Sequence, residues 1–234
     1  MTDRAVALLP IKGHSERVAG KNFRDFCGKP LFRWMLDTLL SLPEIGSVVI
    51  NTDAIGVFEE LGVHRLPRVQ LRERRVELCG DLVSMNRVLE DDVAAVPAAY
   101  YVMTHATNPL LGGETIARAI AAFLEGRGRG AIDSLFSVNR FHSRFYSADG
   151  RPLNHDPNNL VRTQDLDPWF EENSNLYLFT ADSFRSTRAR IGCRPLMFET
   201  PRIESVDIDD QAGWDTAEAI ARQRLSGGSG AGAR

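Results

Sequence analysis

The sequence predicts an α/β fold, a doubly wound, mostly parallel sheet carrying one inserted hairpin arm. Continuous apolar runs of strand length at residues 5–11, 47–51 and 99–103 match strands buried on both faces. Segments of helical period alternate with them, the order that places helices on both faces of a parallel sheet. The alternation breaks once, across residues 140–161, where Asp149-Gly150 sits in a short hairpin pattern.

Each element has a local reason. After the first strand, Pro30 suits a first helical turn, and Leu31, Trp34, Met35 and Leu39 form an apolar stripe. The second strand ends at Thr52-Asp53, and a short helix spans residues 57–61. Residues 63–66 read as a third, shorter strand, and Asp81 as the N-cap of a helix burying Val83, Val88 and Val93. The strand at 99–103 runs into the loop Thr104-His105-Ala106-Thr107-Asn108-Pro109. A helix at 115–123, a strand at 131–138 and the hairpin at 145–153 follow. The sheet resumes at 175–179, then a helix begins at Asp182 and a strand covers Pro195–Glu199. A final helix is expected at 211–224, which makes 1–225 one domain and the Gly/Ser-rich residues 226–234 a disordered tail. An arm at about 140–163 in so compact a domain suits dimerisation or a lid.

At 234 residues, 43% hydrophobic and 25% charged, the chain can bury a sizeable core. Its net charge of −3 argues against nucleic acid as the main partner. Cys27, Cys79 and Cys193 are an odd number without a CxxC spacing, which fits a reducing cytoplasm and neither a disulfide frame nor a zinc site. No apolar run approaches the roughly 18 residues of a membrane span, and no leader-like segment opens the chain. The expected location is the cytoplasm.

The chemistry concentrates at the end of the first strand, in Pro10-Ile11-Lys12-Gly13-His14-Ser15-Glu16-Arg17-Val18-Ala19-Gly20-Lys21-Asn22. Glycines let backbone approach a ligand, and lysines supply compact charge. Of 28 basic side chains only three are lysine, Lys12, Lys21 and Lys29, all in or beside this loop. Arginine serves everywhere else, so the compact ammonium is needed there. The loop is neither GxxxxGK[ST] nor GxGxxG, which lowers ATPase and nicotinamide readings. Lys12, Arg17 and Lys21, with Gly13, Ser15 and Gly20, are candidate triphosphate contacts. A second group is Asp207-Ile208-Asp209: read as a strand, it points both carboxylates to one face, where they suit a hard cation such as Mg²⁺. The bland reading of that pair is a polar strand end capping the next helix. A third group is Arg162-Thr163-Gln164-Asp165 with Asn173-Ser174-Asn175-Leu176-Tyr177, whose Arg, Gln and Asn suit a carboxylate, hydroxyl or amide. Alone it could equally be the hydrogen-bonded stem of the arm.

Taken in order, these motifs resemble the acylneuraminate cytidylyltransferase family, whose members make CMP-activated sugar acids such as sialic acid. The opening loop with Gly28-Lys29-Pro30-Leu31, Thr52-Asp53, residues 74–81, residues 104–110, the Arg162/Asn173 segments and Ser205-Val206-Asp207-Ile208-Asp209 all stand in the family's sequence of motifs. The resemblance covers roughly residues 5–220 and implies a Rossmann-like nucleotidyltransferase acting on CTP. By that resemblance Lys21, Arg17 and Lys12 serve the triphosphate, and Pro10, Gly13, Ser15, Asn22, Arg74 and Ser84 the nucleotide. His105, Thr107, Arg162, Gln164, Asn173 and Tyr177 would line the side of a small acidic acceptor. Asp207 and Asp209 would hold Mg²⁺, and the arm would cross to a homodimer partner. The chain departs from the family pattern at Lys12 for Arg, His14 for Gly, Ala19 for Pro, His105 for Gln and Ser174 for Gly. A sialic-acid-like nonulosonate is the expected acceptor, with a Kdo-like acid or a phosphonate as alternatives. Outside this class stand a metal-dependent nucleotide-sugar glycosyltransferase and an inactive nucleotide-binding module. A lysine-bearing first loop and a carboxylate pair near the C-terminus favour nucleotidyl transfer.

Overall fold

The computed structural model describes residues 4–15 and 18–228. The main sheet is built from β1 (Ala5–Leu8), β4 (Ile45–Thr52), β5 (Val69–Glu73), β6 (Tyr101–Thr104), β7 (Ser134–Phe141), β8 (Trp169–Phe179) and β9 (Pro195–Glu199), and β2 (Asp25–Phe26) with β3 (Lys29–Pro30) forms a separate small ribbon. The sheet order is β5-β4-β1-β6-β8-β7-β9. β1 pairs in parallel with β4 and β6, and β8 runs antiparallel between β6 and β7. The expected mostly parallel, Rossmann-like sheet is present, with one reversed strand.

Strand alternation explains the two-faced core. Ala5, Ala7, Leu9 and Ile11 point to one face, where they meet α1 (Leu31–Ser41), α4 (Gly113–Gly128) and Phe58 of α2 (Ile55–Glu60). Val6, Leu8 and Val49 point to the other, against Leu89 and Val93 of α3 (Met85–Ala95) and Phe184 of α5 (Ala181–Thr187). A residue step of one thus separates two helix layers. A third cluster docks α6 (Gln211–Gly228) through Trp214 and Ala217 onto Phe26, Leu31 and Ile208. Trp214 meets Phe26 edge-on at 5.4 Å, and the Arg24 guanidinium lies 4.3 Å from the Trp214 ring centroid.

Several sequence expectations are corrected. Residues 63–66 are no strand: Val63–Arg65 is a 3₁₀ turn following Gly62 at φ 70°, and β5 pairs with β4 only from Val69. One buried valine created the apolar signal, whereas the true strand is an edge strand with Gln70 and Arg72 in it. α3 starts at Met85, and its N-cap is Ser84, whose hydroxyl accepts from the Asn86 amide at 3.3 Å. Asp81 pairs instead with Lys12. β1 ends at Leu8, and Ile11 rejoins the sheet by a single parallel bridge to Thr52. Asp207-Ile208-Asp209 is loop rather than strand, because the Ile208 amide donates to the Thr107 carbonyl at 2.9 Å and no ladder forms. α6 continues through Gly228 instead of stopping at 224, and residues 229–234 of the expected tail lie outside the described residues. The arm does contain the expected hairpin: Tyr146 bridges Pro152, the Ser147 amide donates to Arg151 at 2.9 Å, and Gly150 takes φ 81°. Phe145 stacks on Trp169 at 5.2 Å, fastening the arm to the start of β8.

Candidate active site

Parallel strands present their C-terminal ends on one rim of the sheet, and a crevice forms where connections leave a central strand in opposite directions. Here that strand is β1, flanked by β4 and β6. The loop after β1, Thr52-Asp53 after β4, Arg74 after β5 and His105 after β6 all follow from this topology onto one rim.

The loop after β1 is fixed from several sides. The Gly13 amide donates to Asp53 Oδ1 at 2.6 Å, and a Cβ at Gly13 would lie 2.5 Å from the Ala54 Cβ. Only glycine admits that approach. Lys12 Nζ donates to Asp81 Oδ1 at 2.9 Å and to the Gly80 carbonyl at 3.2 Å. Asn22 is buried and its Nδ2 donates to the Lys12 carbonyl at 2.8 Å. Its Oδ1 is buried without a hydrogen-bond partner among the described residues, an acceptor poised for a ligand donor. Lys21 is 7% exposed, donates to the Ile208 carbonyl at 2.5 Å, and lies 3.9 Å from Asp209 Oδ1. The structure therefore joins the opening loop to the carboxylate motif 187 residues later. Lys29 stands apart, paired with Asp37 at 2.7 Å and lying over Trp34. Pro10 is buried and Ser15 half-buried, and Arg17 lies outside the described residues.

Arg74 forms the floor beside this loop. It is 4% exposed and donates from Nε to Asn51 Oδ1 and from a terminal nitrogen to the Asn51 carbonyl, both at 2.8 Å. Burial pulls its pKa below the ordinary arginine value. Asn51 in turn donates to Asp92 at 2.7 Å. Desolvation pushes Asp92 up to about 6, against the bond from Asn51 and the charge of Arg72, whose Nε is 3.3 Å away. Sequence reasoning missed this network, although Asp91-Asp92 inside an apolar helix pattern was a visible anomaly. Ser84 caps α3 at the same end of the molecule.

On the other side of β1, His105 and Tyr177 share a face of the sheet, since His105 continues the alternation of Tyr101 and Met103 and Tyr177 pairs with Met103. Burial first, then the charges of Arg190 and Lys21, holds His105 down at about 3, so its imidazole is neutral at physiological pH. The Tyr177 hydroxyl donates to Glu172 and contacts Ser174 at 3.3 Å, and burial raises its pKa. Arg190, which no sequence motif marks, stacks 3.8 Å over the Tyr177 ring and reaches Glu172 at 3.4 Å. Ser174 has φ 56° where β8 bulges between its partners opposite Phe136 and Val138, which accounts for glycine as the family's residue there.

The remaining sequence candidates are placed less centrally. Asn173 is buried in a bridge, donating to Thr200 at 2.7 Å and Ser205 at 3.2 Å and accepting from Ser137 at 2.6 Å. It thereby positions the chain leading to Asp207. Thr107 contributes its carbonyl to Ile208. Arg162 forks onto Asp165 at 2.7 and 3.0 Å, and Gln164 is exposed on the same turn. Among the described residues no contact joins either to Lys21, His105 or Tyr177.

Asp207 and Asp209 flank the buried Ile208, with Asp209 half exposed beside Lys21. Among the described residues no three acidic, His or Cys side chains gather to hold a metal unaided. Carboxylates are the donors Mg²⁺ takes one or two of, completing its shell with substrate phosphates and water, but the strand alternation expected to turn both to one face is absent here.

The family model described as cytidylyltransferase matches residues 6–207. The N-acylneuraminate cytidylyltransferase of Oncorhynchus mykiss is 28% identical over 220 residues, 91% of this chain and 49% of that protein, so the chain spans about half of that relative's length. The pseudaminic acid cytidylyltransferase of Campylobacter jejuni is 22% identical over 215 residues, 87% of this chain and 90% of that protein. Among solved structures, a CMP:2-keto-3-deoxy-manno-octonic acid synthetase complexed with CTP superposes with a TM-score of 0.66 at 16% identity, over 94% of this chain and 99% of that one. The 4-diphosphocytidyl-2C-methyl-D-erythritol synthase of Anaerococcus prevotii gives 0.65 at 10% identity, over 94% and 96%. These two likenesses establish the shared α/β fold.

Proposed function

The chain belongs to the cytidylyltransferase family, and we propose on that premise that it transfers CMP from CTP to a hydroxyl of an acidic sugar, releasing pyrophosphate. The observation that carries this reading is Lys21, a buried ammonium held between the loop after β1 and the Ile208-Asp209 segment. The names of the Oncorhynchus mykiss and Campylobacter jejuni relatives, cytidylyltransferases of N-acylneuraminate and pseudaminic acid, support an acidic sugar of that kind as acceptor.

In this mechanism the acceptor oxygen attacks the α-phosphorus, the bond to the β-phosphate bridging oxygen breaks, and pyrophosphate leaves with that electron pair. The hydroxyl proton passes to solvent. Such transfers ask the protein mainly for positioning and charge stabilisation. Lys21 and Lys12 stabilise charge on the leaving pyrophosphate. Asn22 Oδ1 accepts from the nucleotide, and Ser84 and Arg74 bound the base and ribose. Asp207 and Asp209 would hold Mg²⁺, which would supply neutralisation of phosphate charge when bound. Tyr177 and His105 line the acceptor side, His105 as a neutral hydrogen-bonding group. The second copy of a homodimer would cover the arm, where Tyr146, Leu153, Leu160, Val161, Trp169 and Phe170 are all exposed.

Pyrophosphate release tests the reading. With Mg²⁺, CTP and a panel of N-acetylneuraminic acid, pseudaminic acid and Kdo, release together with a CMP-acid product is expected for CTP and for none of ATP, GTP or UTP. Absence of product with every acid would overturn it.

A further inference from the structure

We propose that Arg190 is a specificity-determining residue that binds the anionic group of the acceptor, with Tyr177 and Glu172 orienting its guanidinium. The inference rests on the acceptor reading above and names the residue that enforces it.

The other cations of the rim belong to the donor side in the reading above and have oxygen partners of their own. Lys12 is tied to Asp81 and Gly80, Lys21 to Ile208 and Asp209, and Arg74 to Asn51. Arg162, the arginine of the sequence motif, is held in a two-bond fork by Asp165. Arg190 differs. Among the described residues the acceptor for its guanidinium is Glu172 alone, through one nitrogen at 3.4 Å. A guanidinium has five N–H donors in a planar fork, so a bidentate carboxylate or phosphonate site remains on it. Its side chain is 19% exposed, accessible from one side and shielded on the other by the Tyr177 ring at 3.8 Å. Stacking fixes the plane of the fork, and the Tyr177 hydroxyl shares the same Glu172 oxygen. That sharing draws Glu172 towards Tyr177 and leaves the outer edge of the guanidinium for a ligand.

The position is held from the backbone as well. The Arg190 amide meets Asn86 Oδ1 at the first turn of α3, next to the Ser84 cap. The loop after α5 is thus anchored to the nucleotide side of the rim. The charges of Arg190 and Lys21 both act on the buried His105, so the neutral imidazole lies within electrostatic reach of both cations.

The test compares Arg190→Leu with wild type and with Arg185→Leu, a surface control whose arginine pairs, among the described residues, with Asp182 in α5. Initial rates are taken with CTP against N-acetylneuraminic acid, pseudaminic acid, Kdo and 2-hydroxyethylphosphonate, and against the methyl ester of each carboxylic acid. The best acid should lose about 10- to 100-fold in acceptor kcat/KM through KM in Arg190→Leu, with the KM for CTP little changed. The ester should be poor with wild type and no worse with Arg190→Leu, so that acid and ester become alike. Retained discrimination between acid and ester would overturn the proposal while leaving the cytidylyltransferase reading intact. If no acceptor turns over, the acids are titrated into the CTP-bound protein by calorimetry: binding lost in Arg190→Leu supports the role of Arg190 although the transfer reading fails, and undiminished or absent binding overturns it. The phosphonate and sugar-acid arms distinguish the two sources of the anion.

Discussion

The two sides of the sheet rim are built by different means. Over β1, β4 and β5 the polar residues are buried and tied to main chain: Lys21 to Ile208, Asn22 to Lys12, Arg74 to Asn51. Over β6 and β8 the Arg190 guanidinium is held by side chains, Glu172 and Tyr177, and the segment beyond them is an exposed arm. Main-chain anchors hold a geometry whatever the neighbouring side chains become, whereas side-chain contacts can be rewired by single substitutions. The donor side is thus suited to one constant ligand and the acceptor side to a variable one.

The sharpest way to break the comparison is at Lys21. Lys21→Ala should lower pyrophosphate release by roughly 10²- to 10³-fold, the scale of removing a preorganised charge stabiliser, with the fold retained by circular dichroism. A variant of near wild-type rate would show that the buried ammonium serves structure alone. Next is Trp214→Ala, which empties the α6 cluster. Urea denaturation should report a loss of about 3–5 kcal/mol, and the loosened Ile208 should depress the transfer rate beyond what surviving folded protein explains.

A pair of opposed pH slopes separates the two sides further. Asp92, on the donor side, has a folded pKa of about 6 against an ordinary 3.8. Between those values the unfolded chain has already released a proton that the folded one keeps, so this group's contribution falls as pH rises. His105, on the acceptor side, is neutral when folded down to about 3 against an ordinary 6.5. The unfolded chain takes up its proton first as pH drops, so its contribution falls in the opposite direction. Near pH 5 the two oppose each other, each by at most about 1.4 kcal/mol per pH unit. Asp92→Asn should make stability rise with pH between about 4 and 6, and His105→Gln should make it fall. Thermal melts across that window would read both, and equal slopes in the two variants would remove the assignment. The smallest effect is expected from Ser174→Gly, which relieves a left-handed serine. It should stabilise by about 1 kcal/mol, less the contact between Ser174 and Tyr177, as measured by a shift of the urea midpoint.

What could be read from the sequence follows the same division. Strands β1, β4 and β6 announce themselves because burial on both faces leaves little but apolar residues. Edge strand β5 hid behind Gln70 and Arg72, and a buried valine in the turn before it drew the strand assignment to the wrong place. The first four residues of β8, Trp169-Phe170-Glu171-Glu172, are exposed and run as two aromatics followed by two glutamates instead of alternating, so the strand looked half its length. At the site, Lys12, Lys21 and Asn22 were legible because one short loop holds them. Arg190 was not, because it meets Tyr177 from a separate loop 13 positions on, and no local period encodes that meeting. The carboxylate pair was found for its spacing, yet the strand invoked to explain it does not exist.

Ile208 joins more of this molecule than its size suggests. Its amide is held by Thr107, its carbonyl by Lys21, and its side chain is packed with Trp214 and Ala217 of α6. One aliphatic residue therefore works as a hinge pin between the C-terminal helix and both flanking carboxylates. Lesions in α6, far from any ligand, should then surface as defects of the reaction centre. Over generations, the helix and the Asp207-Asp209 pair would have to drift together or not at all.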